Sequence, residues 1–272
     1  MIRPPRDSVT RYRLIRRGFQ LICASVLALL LGRTAIAASV FDPARVGPPR
    51  SGATAELFRP EGTGPFPAIV VLHGCDGIGR HYRDWARRLV NWGYVALLVD
   101  SFTPRGHRSV CNQGRLVPPE TRAEDAFAAK AWLATQPYVR PERIGVIGFS
   151  HGGWTVLRAV LAGDRPAPPF AAAVAYYPGC QRTATPLVTD TLILIGGADD
   201  WTPASSCRGW AEHVDRAGHT VDLVIYPNAH HGFDSRQPPH RYAGHLVGRD
   251  DSAADASIAT TQIFLAARLG AP

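Results

Sequence analysis

The sequence predicts an α/β fold, with a mostly parallel central sheet covered by helices on both faces. Three observations carry that prediction. Strand-length apolar runs alternate with helix-compatible segments from residue 54 to residue 269. The runs are continuously apolar rather than alternating with polar residues, the pattern of parallel strands buried on both faces. One of them, Arg143 to Phe149, ends in Gly148-Phe149-Ser150-His151-Gly152 and leads at once into a helix-compatible segment, Trp154 to Ala162. That is strand, sharp turn and helix, with a serine at the corner.

Each element follows in order. Thr54 to Arg59 reads as a short edge strand, and Phe66 to Leu72 as a buried strand running into the His73-Gly74 turn. Arg83 to Trp92 places Trp85, Leu89 and Val90 at helical spacing and stops at Gly93. Tyr94 to Asp100 is the next buried strand. Residues 103–120 form a long polar loop, of the kind that is usually functional or mobile. Thr121-Arg122-Ala123-Glu124 resembles a capping box that opens a helix running to about Gln136. The strand Arg143–Phe149 and its helix come next, then strands at Ala171–Tyr177 and Thr191–Gly196. A helix at 204–217, a strand at Val221–Tyr226 and an amphipathic helix at 252–269 complete the series. There is no internal repeat or low-complexity tract, so residues 54–272 read as a single domain, with 38–53 a loose Pro/Gly-rich start.

Residues 1–37 read as an export signal. Arg11, Arg13, Arg16 and Arg17 form a positive region, Leu21 to Leu31 an apolar core, and Ala35-Ile36-Ala37 a small-residue cleavage site. A cut is expected before Ala38, leaving a periplasmic or secreted protein with no stable membrane insertion. An uncleaved anchor is the alternative, although the core is short for a bilayer span. Arg16-Arg17 fits either a general or a twin-arginine signal. The leader also explains the charge. The chain is +8 overall, but residues 1–37 carry seven Arg and one Asp, and the remainder carries 23 basic and 21 acidic residues. That near-balance gives no reason to expect a nucleic-acid partner.

Four cysteines remain beyond the leader: Cys75, Cys111, Cys180 and Cys207. Export permits disulfides, and four cysteines allow three connectivities. Cys180 follows one expected strand and Cys207 follows the next, which favours Cys180–Cys207 and leaves Cys75–Cys111. Buried free thiols are the alternative. No spacing in the chain suggests a metal site, and no cofactor motif is present.

Ser150 needs a base to become a nucleophile. The segment Asn228-Ala229-His230-His231-Gly232-Phe233-Asp234, just after the Val221–Tyr226 strand, supplies imidazoles. Gly196-Gly197-Ala198-Asp199-Asp200, just after the preceding strand, supplies carboxylates. All three groups fall at the carboxyl ends of parallel strands, where open α/β sheets place their sites. The order Ser, Asp, His is that of α/β-hydrolases. The amide of His151 and an amide in His73-Gly74-Cys75, that of Cys75, are the candidate oxyanion donors.

On these segments the chain resembles the dienelactone hydrolase family of the α/β-hydrolase superfamily, over about residues 54–269. The resemblance implies Asp199 rather than Asp200 as the acid, and His231 rather than His230 as the base. It implies an ester or lactone as the small-molecule substrate. Founding members carry a cysteine where this chain has Ser150, and a glutamate that partners the resting thiol where it has Gly74. A serine needs no such partner, so the two departures agree with one another. Arg105 and Arg236 are candidate ligands for a substrate carboxylate, with solvated loop residues as the alternative. Trp201, Tyr177 and Phe233 are candidate pocket walls, with core packing as the alternative. Asp76 reads as a turn residue, and Thr202 as the N-cap of the 204–217 helix. Two rival functions share these residues: a peptidase or amidase using the same triad, and a non-catalytic exported binding protein on a hydrolase scaffold.

Overall fold

A computed structural model describes residues 44–46, 52–163 and 168–270. The expected leader lies outside them. Ten strands are described: β1 (Ala44–Val46), β2 (Thr54–Phe58), β3 (Phe66–Leu72), β4 (Val95–Asp100), β5 (Val139–Phe149), β6 (Ala173–Tyr176), β7 (Thr191–Gly196), β8 (Val221–Tyr226), β9 (His240–Tyr242) and β10 (His245–Val247). The helices are α1 (Arg80–Asn91), α2 (Pro119–Ala134), α3 (His151–Ala159), α4 (Ala204–His213) and α5 (Asp251–Leu269).

The first eight strands form one sheet in the order β1-β2-β4-β3-β5-β6-β7-β8. From β4 to β8 all pairings are parallel, while β2 joins β4 antiparallel. β2 is not the edge strand expected from the sequence, because β1 pairs antiparallel outside it. β3, β4, β6 and β7 are buried along nearly their whole length, which accounts for their continuous apolar runs. β9 and β10 form a separate hairpin.

α2 corrects another expectation. It starts at Pro119, two residues before Thr121, and no side chain caps it. Proline suits the first helical turn because its missing N–H is one that would be unpaired there in any case. Thr121 and Glu124 therefore lie inside the helix and close no capping box. The long loop before α2 is ordered by a small core of its own: Phe102, Val110 and Val117 pack with Cys75. The Cys75–Cys111 disulfide fastens it to the loop after β3, and Cys180–Cys207 forms the second bridge. Among the described residues, no helix is long and apolar enough to cross a membrane.

The strand order reverses around β3, which has β4 on one side and β5 on the other. The crevice beyond the carboxyl ends of β3 and β5 is thus the position that the topology reserves for a ligand.

Candidate active site

Ser150 lies in that crevice. Its backbone is held at φ 52° and ψ −112°, a conformation unfavourable for a residue with a side chain. Two bonds fix it: the Ser150 amide donates to the Tyr176 carbonyl (2.9 Å), and its carbonyl accepts from the Trp154 amide (2.8 Å). The flanking glycines are required by close approach. A Cβ on Gly148 would strike the Gly152 carbonyl, and one on Gly152 would strike the carbonyls of Leu72 and His73. The turn can therefore nest against the end of β3.

The loops after β7 and β8 are brought together in the same way. A side chain on Gly196 would strike the Ala229 carbonyl. Without it, the Ala198 amide reaches that carbonyl (3.1 Å) and the Gly197 amide reaches Tyr226 (2.7 Å). This places Asp199 beside His231. Asp199 Oδ2 lies 2.8 Å from His231 Nδ1, and His231 Nε2 lies 2.8 Å from Ser150 Oγ. The other Asp199 oxygen accepts from the amides of Trp201 (2.9 Å) and Thr202 (2.8 Å). Burial pushes the Asp199 carboxyl up, but the bond and charge of His231, together with the Thr202 bonds, outweigh it and hold the group below the ordinary carboxylate range. Asp199 is thus an anion at neutral pH. The His231 ring packs against Tyr177 (4.7 Å) and Trp201 (5.0 Å), which fix its plane. An imidazole bonded to a hydroxyl on one nitrogen and a carboxylate on the other can accept the hydroxyl proton as the oxygen attacks a carbonyl carbon.

A cavity of about 470 Å³ opens over Ser150 and His231. Its wall includes Cys75, Asp76, Tyr82, Tyr177, Trp201 and Arg236. The β9–β10 hairpin contributes His240, Tyr242 and Val247. Among the described residues, neither the Cys75 amide nor the His151 amide donates a backbone hydrogen bond, and Cys75 lines the cavity.

The remaining candidates divide between the cavity wall and other places. Arg105 is not in the cavity wall. Its guanidinium forks onto Asp125 (2.9 Å to each oxygen) and donates to the Ser101 carbonyl (2.7 Å), bracing the long loop against α2. Arg236 does line the cavity, and its Nε lies 2.9 Å from Asp84. Phe233 is a fully buried core residue outside the cavity wall. Asp76 accepts from the Tyr82 hydroxyl (2.6 Å). His230 turns aside to the Ala198 carbonyl (2.9 Å), and Asp200 faces His245 (3.4 Å).

Thr202 is not a helix cap, since Pro203 takes that place without a side-chain bond. Its hydroxyl instead lies 2.9 Å from Asp199 Oδ2, 3.1 Å from His231 Nδ1 and 3.1 Å from the Tyr177 carbonyl. The spacing Asp199-x-x-Thr202, a threonine three residues after a turn aspartate, is the signal that would have marked it. Asp234 gave no such signal. It is buried, and accepts from Trp85 Nε1 (2.7 Å) and the Tyr177 hydroxyl (2.8 Å), with His81 Nε2 at 3.4 Å. No group of three or more His, Cys, Asp or Glu among the described residues is placed to hold a metal ion.

Comparison with known proteins extends the geometry. A family model described as "Dienelactone hydrolase family" matches residues 53–268. A relative from Methylorubrum extorquens named "Putative carboxymethylenebutenolidase" is 30% identical over 196 residues, covering 65% of this chain and 66% of that one. Among solved structures, a dienelactone hydrolase-like promiscuous phosphotriesterase from metagenomic libraries aligns at 22% identity and TM-score 0.66, covering 84% of this chain and 97% of that one. An esterase of Thermogutta terrifontis, bound to propionate, aligns at 20% identity and TM-score 0.60, covering 81% and 91%. At these identities the two structures speak to the shared fold.

Proposed function

Because the chain belongs to the dienelactone hydrolase family, and so is a hydrolase of carboxylic ester or lactone bonds, we propose that it works as a serine hydrolase through an acyl-enzyme. Ser150 Oγ attacks the carbonyl carbon while His231 Nε2 takes its proton. Asp199 holds the Nδ1–H tautomer and stabilises the imidazolium. The Cys75 and His151 amides receive the oxyanion. His231 returns the proton to the leaving alkoxide, and water then releases the acyl group by the same steps in reverse order. The observation that carries this reading is the unbroken chain Ser150 Oγ, His231 Nε2, His231 Nδ1, Asp199 Oδ2, with both links at 2.8 Å and with Ser150 and His231 lining the cavity.

The proposal extends to location. The Arg-rich apolar leader and two disulfides support export to the periplasm or beyond, with residues 54–272 acting as one domain after cleavage before Ala38.

The test uses p-nitrophenyl butyrate and a fluorophosphonate. Ser150→Ala should lower ester turnover by roughly 10⁴–10⁶-fold. The phosphonate should bond to Ser150 Oγ with loss of fluoride, and mass spectrometry should place it there. Wild-type turnover in Ser150→Ala, or labelling at another serine, would refute the assignment.

A further inference from the structure

Arg122 is a fully buried cation that the chemistry above leaves unused. It sits in the first turns of α2, with its guanidinium 4.7 Å over the Phe102 ring. Nη2 donates to the His73 carbonyl (2.8 Å) and Nη1 to His151 Nδ1 (2.8 Å). These two acceptors belong to different segments. His73 opens the loop after β3, two residues before Cys75. His151 follows Ser150 at the start of α3.

The donor set fixes the chemistry of the His151 ring. A guanidinium can only donate, so His151 Nδ1 must be the acceptor and the proton must sit on Nε2. Nε2–H then donates to the Gly114 carbonyl (2.6 Å), which carries the same link into the long loop. Burial lowers the His151 pKa to about 4, and the Arg122 charge adds to that shift, so the ring is neutral across the working range of a histidine base. It cannot rival His231 as a base.

Arg122 is an expensive way to fill this space. The carboxylate that raises its pKa most, Asp125, is already forked by Arg105, and Arg122 Nε has no partner. A buried cation held by a carbonyl and an imidazole costs more desolvation than an apolar side chain of the same volume. What the guanidinium supplies is a rigid planar fork that holds two acceptors at a fixed separation.

We propose, resting on the serine-hydrolase reading above, that Arg122 is a positioning residue that sets the spacing of the two oxyanion amides by clamping the His73 carbonyl and the His151 ring in one fork. Oxyanion donors act only when they sit where charge develops, and a displacement of about 1 Å can cost on the order of 10²-fold in rate. The clamp therefore bears on kcat more than on substrate binding.

The experiment compares wild type, Arg122→Met, Arg122→Lys and His151→Ala in steady-state hydrolysis of p-nitrophenyl butyrate, with thermal unfolding followed in parallel. Arg122→Met should lower kcat by about 10- to 100-fold while KM stays within about twofold. Arg122→Lys, which keeps one donor arm, should recover part of the loss. His151→Ala keeps its amide but deletes the clamped ring, and should lower kcat about 10-fold at unchanged KM. A variant carrying both Arg122→Met and His151→Ala should be no slower than Arg122→Met alone. A folded Arg122→Met with wild-type kcat, or a loss confined to KM, would overturn the proposal. If the Arg122 variants do not fold, His151→Ala decides alone, and wild-type kcat there overturns it. Failure of the underlying reading appears elsewhere, as wild-type protein that a fluorophosphonate does not label at Ser150.

Discussion

Two imidazoles border Ser150, one through the chain and one through space, and they meet opposite charges. His231 puts Nδ1 against the Asp199 carboxylate and turns Nε2 to the serine hydroxyl. His151 puts Nδ1 against the Arg122 guanidinium and turns Nε2 to the Gly114 carbonyl. The same side chain thus faces an anion in one place and a cation in the other. An anion at the far nitrogen lets a ring take a proton; a cation there makes it a neutral strut. Residue type alone does not identify the base. The partner on its other nitrogen does.

The sharpest way to break this contrast is to delete each ring in turn. His231→Ala should reduce ester turnover by roughly 10⁵-fold, because the nucleophile loses its proton acceptor. His151→Ala should cost only about 10-fold, because its amide remains. Comparable losses in the two variants would show that the rings are not functionally different. Asp199→Asn comes next. It preserves the shape but replaces the anion, leaving His231 without a fixed tautomer, and should cost roughly 10³–10⁴-fold in kcat. An Asn variant with near wild-type kcat would show that the opposite charges at the two rings are incidental.

Stability should report the same contrast. In the unfolded chain His151 binds its proton near the ordinary value of 6.5, and in the folded protein only near pH 4. Between these values the unfolded state holds more protons, so stability falls as pH falls through that window and levels off below it. His73, buried and held neutral by its surroundings and by Arg122, acts in the same direction. For His151 the loss amounts to about 3 kcal/mol, an order-of-magnitude figure. Urea unfolding at pH 7 and pH 4.5 measures it, and His151→Gln should flatten the slope. An equal slope in wild type and variant would place the titration elsewhere.

Much of this was legible in the sequence because it depends on neighbours in the chain. The apolar runs of β3 to β8 declare themselves by their own composition. The elbow declares itself by Gly148 and Gly152, which sit within four residues of one another. What escaped depends on residues distant in the chain. Arg105 looks like a loop cation until Asp125 is seen twenty residues away in α2. Arg122 is only the second residue of an apparent capping box in the sequence; the fold brings His73 and His151 to it from 49 and 29 residues away. β2 differs from the expected edge strand for a similar reason, since its outer partner β1 comes from a Pro/Gly-rich stretch with no strand pattern. Thr202 was a nearer miss. Its position three residues after Asp199 allowed both a helix cap and a carboxylate ligand, and propensity favoured the cap.

Thr202 gives the smallest expected effect and the finest test of how the His231 side is built. Its hydroxyl lies within reach of Asp199 Oδ2, His231 Nδ1 and the Tyr177 carbonyl, yet it has one proton. It donates that proton to one of the two oxygens, which leaves a lone pair for the His231 Nδ1–H to share with Asp199. In the proposed mechanism, the His231 imidazolium is then held by a carboxylate and a neutral oxygen together. A neutral hydrogen bond contributes about 1 kcal/mol, so Thr202→Val, nearly isosteric, should lower kcat about 5-fold and leave KM unchanged. Combined with Asp199→Asn it should add little, because a ring without its anion has no fixed Nδ1–H to share. Stopped-flow acylation rates on the two single variants and the double separate these cases. A loss in Thr202→Val as large as that in Asp199→Asn would mean that the hydroxyl, rather than the charge, holds the ring, and His231 and His151 would then differ by geometry and not by the sign of their partner.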